Sequence, residues 1–238
     1  MKLIISGATG FVAKEIIRQS LSRDEITSVV ALARKPVSVP EKLSPDANPS
    51  KLKSIVVEDY EHYPEEVKKE FAGAAACIWT VAVTPMKSKA YDFKEVKRIC
   101  QTCTIKGLKA IHESGISKPF RFLYMSGITA ERDRAKPVQY HPEYTYMRGE
   151  TESEVLRLAA ELDGVEASVA KPGFITAPGY IMRSITATTL QYTAGIPNIS
   201  VVDLTTAMLD QVINGFEKEP LTHEDLVRIA KAHQVTGE

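Results

Sequence analysis

The stretch 1-MKLIISGATGFVAKEI-16 runs a short apolar segment into two glycines and then into a helical pattern. "KLIIS" (2–6) is apolar without alternation, which reads as a strand buried on both faces, the habit of a parallel sheet. Phe11, Ile16, Ile17 and Leu21 recur at helical spacing over 11–22. The glycines therefore fall where a first strand turns into a first helix. One glycine there permits the tight turn, a second lets a pyrophosphate approach the backbone, and the helix N-terminus turns its N–H groups to the anion. The spacing is Gly7-x-x-Gly10-x-x-Ala13, and Ala13 adds one methyl group where helix and strand must pack closely. Gly7, Thr9, Gly10, Phe11 and Val12 are the expected dinucleotide cradle; a plain tight turn is the alternative.

Strand and helix patterns alternate outward from this stretch. Strands are expected at 26–34, 52–59, 74–83, 120–126 and 165–173. Helices are expected at 64–73, 89–114 and 142–162, then near 179–193, 203–216 and 222–234. Such alternation predicts an α/β fold, a doubly wound parallel sheet of Rossmann type. The 238 residues suit one domain. Its tail, 173–238, is expected to supply a small helical cap, and "KPVSVPEKLSPDANPSKL" (35–52) reads as a surface excursion between strands two and three.

Composition excludes several classes. Lys plus Arg and Asp plus Glu both number 30, which offers no electrostatic case for nucleic acid or an anionic membrane. No apolar run approaches the roughly 18 residues that cross a bilayer, and the start reads as a strand rather than a signal peptide. Three cysteines make no disulfide framework, so a cytoplasmic location is expected. Cys100-x-x-Cys103 falls mid-helix and reads as packing. The five histidines show no ligand spacing, and no metal is expected.

The second strand ends near the place of an adenosine ribose, about 20 residues past the glycines, where NAD binders carry a carboxylate. This chain has Arg34-Lys35 there. Cations suit the 2′-phosphate of NADP; a solvated pair is the bland alternative. Asp59, past strand three, reads either as an acceptor for the adenine amino group or as a turn residue.

"SGATGFVA", "ALARKP", "VEDY", "YMSG", Tyr144-x-x-x-Arg148 and "KPGF" follow one another in order. Together they resemble the atypical short-chain dehydrogenase/reductases of the NmrA-like type, over nearly the whole chain. The tail "VVDLTTAMLDQVINGFEKEPLTHEDLVRIAK" is similar to fungal proteins known as nucleoside-diphosphate-sugar epimerases. The resemblance implies a Tyr as acid or base, a Lys four residues on that lowers the phenol's pKa and holds the nicotinamide ribose, and a Ser that steadies the substrate carbonyl. Tyr144 and Ser126 match; the Lys position holds Arg148, which cannot pass on a proton. The same resemblance adds Val81, Pro172, Gly173 and Ile175 to the cofactor contacts, beside Arg34, Lys35, Asp59 and Arg148. Tyr146 stands in for Tyr144 if the helix register shifts.

The stretch 126–138 reads as a solvated loop over the nicotinamide end. A Thr-rich, apolar lid at 173–199 suits a modest, mostly apolar substrate with hydroxyl or carbonyl groups. The expected activity is an NADP-dependent reductase or dehydrogenase of such a molecule, acting as a monomer or homodimer. A redox-neutral isomerase, cyclase or dehydratase, and a non-catalytic NADP sensor, are the alternatives.

Overall fold

The structure is a computed structural model, and it describes residues 1–177 and 195–235. Six parallel strands form one sheet: β1 (Lys2–Ser6), β2 (Ser28–Ala33), β3 (Leu52–Val56), β4 (Ala76–Trp79), β5 (Phe120–Met125) and β6 (Val165–Ala170). Their order is β3-β2-β1-β4-β5-β6. Leu3 pairs with Val29 on one side and Ala76 on the other, which makes β1 a central strand. The chain moves from β3 across β1 to β4. That reversal opens a crevice at the carboxyl ends of β1 and β4, where open α/β sheets bind ligands.

The pleat of β1 explains the two layers. Leu3 and Ile5 face a core completed by α1 (Phe11–Ser20), α7 (Val201–Asn214) and α8 (His223–Val235). Ile4 faces the other core, with α2 (Glu65–Phe71), α5 (Cys103–Glu113) and α6 (Pro142–Glu161). The segment expected as a cap thus divides. Helices α7 and α8 complete the α1 layer, while most of the lid, including the helix expected at 179–193, lies outside the described residues.

The helix expected at 89–114 starts later. A short α3 (Pro85–Ser88) comes first. Then the Asp92 carboxylate accepts from the Lys94 N–H at 2.7 Å and caps α4 (Phe93–Lys97). A π-helical turn, Arg98–Thr102, joins α4 to α5. It sets Cys100 Sγ under the Val83 N–H at 3.3 Å. Two three-residue strands, β7 (Phe174–Thr176) and β8 (Asn198–Ser200), pair in parallel beyond β6. Segments that short carry no readable period. Strand β6 stops at Ala170, because the next N–H, of Lys171, goes to Leu221 O rather than to a neighbouring strand.

Candidate active site

The glycine turn is built from backbone. Gly7 has φ +69°, and a Cβ on it would lie 2.8 Å from Thr80 Oγ1 and 3.3 Å from Val81 N, so only glycine fits beneath the loop after β4. Thr80 Oγ1 donates to Ser6 O at 2.6 Å, and Ser6 Oγ accepts from Thr80 N at 3.1 Å. These two bonds lock the ends of β1 and β4 together. Tyr60 adds a third fastening: its hydroxyl accepts from Gly7 N at 3.2 Å and donates to Leu32 O at 2.8 Å. Burial pushes its pKa up to about 12, so it stays a neutral strut.

Gly10 is the N-cap of α1, with extended backbone and no side chain to cap the helix; a Cβ there would meet Gly7 O at 3.0 Å. No acidic residue stands in the first turn, so the positive end of the helix dipole is not answered locally. Thr9 and Gly10 are exposed, Phe11 is partly exposed, and Val12 and Ala13 are buried against the sheet.

Arg34 and Lys35 are exposed at the end of β2. Among the described residues, neither side chain forms a salt bridge, though Arg34 is near enough to Glu95 to help hold its carboxyl below the usual range. Asp59 is differently placed. It accepts from the Glu61 N–H at 3.0 Å, from His62 at 3.1 Å and from Arg98 at 3.4 Å. The Glu61 N–H and then His62 hold its carboxyl below the usual range. These are the contacts of a turn residue. Asp59, Glu61 and Cys103 bring ligand atoms within 4.8 Å of one another, and Glu61 there pairs with the Arg98 guanidinium at 2.9 Å and with Lys106 at 3.7 Å. A recess of about 900 Å³ lined by Tyr63, Ile105, Lys109 and Glu154 lies on this α2–α5 side and shares no residue with the glycine turn.

The far side of the crevice is made by β5 and α6. Tyr144 and Arg148, four apart, lie on the buried face of α6 and are 8% and 4% exposed. The Tyr144 hydroxyl donates to Val83 O at 2.8 Å. Burial raises its pKa by more than Arg148 lowers it, so the phenol is less acidic than usual, against the expectation that the cation would depress it. Arg148 lies over the Tyr124 ring at 4.9 Å and donates through Nη2 to Met125 O at 2.8 Å. Its Nη1 is buried with no hydrogen-bond partner among the described residues. Tyr146 points elsewhere, donating to Lys136 O at 2.6 Å.

Ser126 follows β5 but is not turned to Tyr144. Its hydroxyl donates to Glu152 Oε1 at 2.5 Å. Glu152 is fully buried, and its Oε2 accepts from Arg132 at 2.7 Å and Lys171 at 3.2 Å. Arg132 also pairs with Glu219, which ties the 126–138 loop to the segment before α8. That loop is exposed over 133–137, as a solvated loop should be, and is tied down by this ion pair. Pro172 is buried; Val81, Gly173 and Ile175 are partly buried. Gly173 N donates to His223 Nδ1 at 3.2 Å, and a Cβ on Gly173 would lie 2.1 Å from Pro197 O.

The sequence reading missed Tyr60, Thr80, Arg132, Glu152, Lys171 and His223. Glu152 had a signal: it stands four residues past Arg148 and eight past Tyr144, on the same helix face.

A crevice at the switch point, floored by an obligate glycine and an uncapped helix, agrees with the family comparison. The model of the NAD(P)H-binding family matches residues 7–212. The chain belongs to that family. Leucinostatins biosynthesis cluster protein T of Purpureocillium lilacinum is 27% identical over 128 residues, 53% of this chain and 42% of that protein. The match therefore takes in less than half of that protein's length. Among solved structures, vestitone reductase from alfalfa (Medicago sativa) superposes with a TM-score of 0.64 at 18% identity, over 93% of this chain and 76% of that one. The PhqB reductase domain from Penicillium fellutanum gives 0.67 at 16%, over 94% and 67%. The dTDP-glucose 4,6-dehydratase DesIV from Streptomyces venezuelae, with NAD bound, gives 0.67 at 14%, over 99% and 81%. At such identities the likeness is one of fold. The fold is Rossmann-like, and the family is one that binds NAD(P)H. Among the described residues no helix is long and apolar enough to cross a membrane.

Proposed function

We propose that this protein is an NADP-dependent reductase or dehydrogenase of a small, mostly apolar carbonyl or hydroxyl compound. The observation that carries the reading is the pairing of the Gly7–Gly10 turn with Arg34, an exposed cation that forms no salt bridge among the described residues and stands where NAD binders place an acid. Thr9, Gly10, Phe11 and Val12 would take the pyrophosphate, and Arg34 with Lys35 the 2′-phosphate. Asp59 would take the adenine edge with whatever acceptor capacity its turn leaves. Val81, Arg148, Pro172, Gly173 and Ile175 would border the nicotinamide end. The residues present fit such a group: Arg148 Nη1, a buried donor with no hydrogen bond among the described residues although the Cys100 thiol lies near the guanidinium, is one that a ribose hydroxyl would satisfy. Bound there, the nicotinamide supplies or accepts a hydride.

Tyr144 is the proposed acid–base group, and to move a proton its hydroxyl has to leave Val83 O. The compound is proposed to be a secondary metabolite, a reading supported only by the name of the fungal biosynthesis-cluster relative. A cytoplasmic location and a monomer or homodimer complete the proposal.

The Tyr144–Val83 and Ser126–Glu152 bonds favour a second reading, in which the scaffold binds NADP without a net redox step. NADPH oxidation across a panel of small ketones and aldehydes separates the two. Turnover supports the reductase. Conversion without cofactor consumption, or tight NADP binding with no turnover, supports the second reading.

A further inference from the structure

The stretch 84-TPMKSKAYDFKEVK-97, after β4, sets Met86, Tyr91 and Phe93 among four lysines. The inward places are already filled, since Val83 and Val96 are buried with Cys100, Tyr144 and Met147. Backbone bonds from Lys87 N to Thr84 O, Ala90 N to Lys87 O and Tyr91 N to Ser88 O fold the intervening residues into tight turns on the surface. Met86, Tyr91 and Phe93 are left 73%, 51% and 37% exposed. Tyr140 is 65% exposed and stands one helical turn before Tyr144, whose hydroxyl is bonded to Val83 O at the root of this stretch. Single exposed apolar residues are ordinary, but four on the two loops that follow β4 and β5 are not scattered.

The charges around them are one-sided. Lys87, Lys89, Lys94 and Lys97 are exposed, and none forms an ion pair among the described residues. Glu95 is held by Arg98 at 2.7 Å, and Asp92 accepts the Lys94 N–H at 2.7 Å. The exposed acid on the other loop's side is Glu143, in the first turn of α6. The chain is neutral as a whole, yet its positive charge is uncompensated here.

We propose that this rim docks on an anionic lipid surface. Met86, Tyr91 and Phe93 enter the headgroup layer, and the four lysines meet its anionic groups. Each of the three apolar side chains has a lysine within two residues. A protein interface is depleted in lysine and seats its apolar anchors in closed pockets. A lipid surface takes both kinds of group at once: aromatic rings rest at headgroup depth, and lysine stems lie along apolar matter with their ammonium groups in water. Docked this way, the carboxyl ends of β4 and β5 face the bilayer, where apolar compounds concentrate. The docking itself depends on neither the cofactor nor the reductase reading.

The test is co-flotation of the full chain with vesicles of phosphatidylcholine alone and of phosphatidylcholine with phosphatidylserine, in about 0.1 M salt. The wild type should float with the phosphatidylserine vesicles, bind the neutral ones at least about tenfold more weakly, and be released by high salt. Lys87→Ala, Lys89→Ala and Lys94→Ala combined should weaken binding about a hundredfold, about fivefold per lysine. Met86→Ser, Tyr91→Ser and Phe93→Ser combined should weaken it at least about tenfold. All six side chains are exposed, so circular dichroism should show both variants folded. Lys14→Ala, Lys69→Ala and Lys231→Ala, exposed positions on α1, α2 and α8, should leave binding unchanged. No flotation with phosphatidylserine vesicles, equal binding to both kinds, wild-type binding by either rim variant, or an equal loss in the distant lysine variant overturns the proposal.

Discussion

The two walls of the crevice spend their polar groups differently. On the β1 side the contacts come from backbone, in an uncapped helix start and a glycine wedged under Thr80, and the cations at the end of β2 form no ion pair among the described residues. On the β5–α6 side the side chains are already engaged. Tyr144 is bonded to Val83 O, Arg148 to Met125 O and Ser126 to Glu152. One wall is ready for an anion as it stands. The other can act only by exchanging an internal bond for one to a ligand, and Arg148 Nη1 is the exception that needs no exchange. Binding and chemistry thus rest on different foundations, and substitutions should separate them.

The largest effect is expected at the ready wall. Gly10→Val places a branched side chain against Gly7 O, in the space a pyrophosphate needs. Dinucleotide binding should vanish in calorimetry while the fold, followed by circular dichroism, persists. Normal binding by the variant would reduce the turn to a structural element and erase the contrast between the walls.

Tyr144→Phe tests the engaged wall. It leaves the buried Val83 carbonyl with only the long contact from the Cys100 thiol at 3.8 Å and should lower stability by about 1–3 kcal/mol in denaturant unfolding. Against a substrate that is turned over, the rate should fall by about 10²–10⁴-fold with NADP affinity nearly unchanged. Lower stability with full rate would leave the hydroxyl as a strut and remove Tyr144 from the chemistry.

Arg34→Ala is next in size. Losing one charge-assisted contact to a 2′-phosphate costs about 1.5–3 kcal/mol, or one to two decades in NADP affinity. NAD affinity should barely move. A parallel fall for both nucleotides would mean that Arg34 acts on something they share.

The smallest effect concerns His223, whose Nδ1 accepts the Gly173 N–H and is therefore unprotonated. Burial lowers its pKa below the usual 6.5. The unfolded chain then binds the proton more readily, so the stability His223 contributes is complete above about pH 6.5 and is lost as pH falls through the lower folded value. Thermal unfolding should show a shallower acid loss in His223→Gln than in the wild type. Superimposable profiles would contradict this.

The ready wall was also the legible one. Gly7, Gly10 and Ala13 constrain backbone, and a spacing of glycines after an apolar run states that constraint directly. That the sheet is parallel followed from the alternation of strands and helices, while its strand order is visible only in the structure. The engaged wall was legible only as positions. Spacing put Tyr144 and Arg148 on one face of α6, and the structure keeps them there. It could not say where the hydroxyl or the guanidinium would be turned, because that depends on Val83 and Met125, each distant in sequence. Glu152 sits in the polar run "GETESE", which reads as a solvated helix face; its burial depends on Arg132 and Lys171 arriving from a loop and a strand end. Strands β7 and β8 were invisible because each is three residues long and its partner lies more than twenty residues away.

The central claim is that the glycine turn and Arg34 together select a phosphorylated nicotinamide dinucleotide. Calorimetric titration of the purified wild-type protein with NADPH and with NADH tests it most directly. The account predicts that both bind and that NADPH binds at least about tenfold more tightly, as one contact to the 2′-phosphate requires; equal or tighter binding of NADH, or binding of neither, would contradict it.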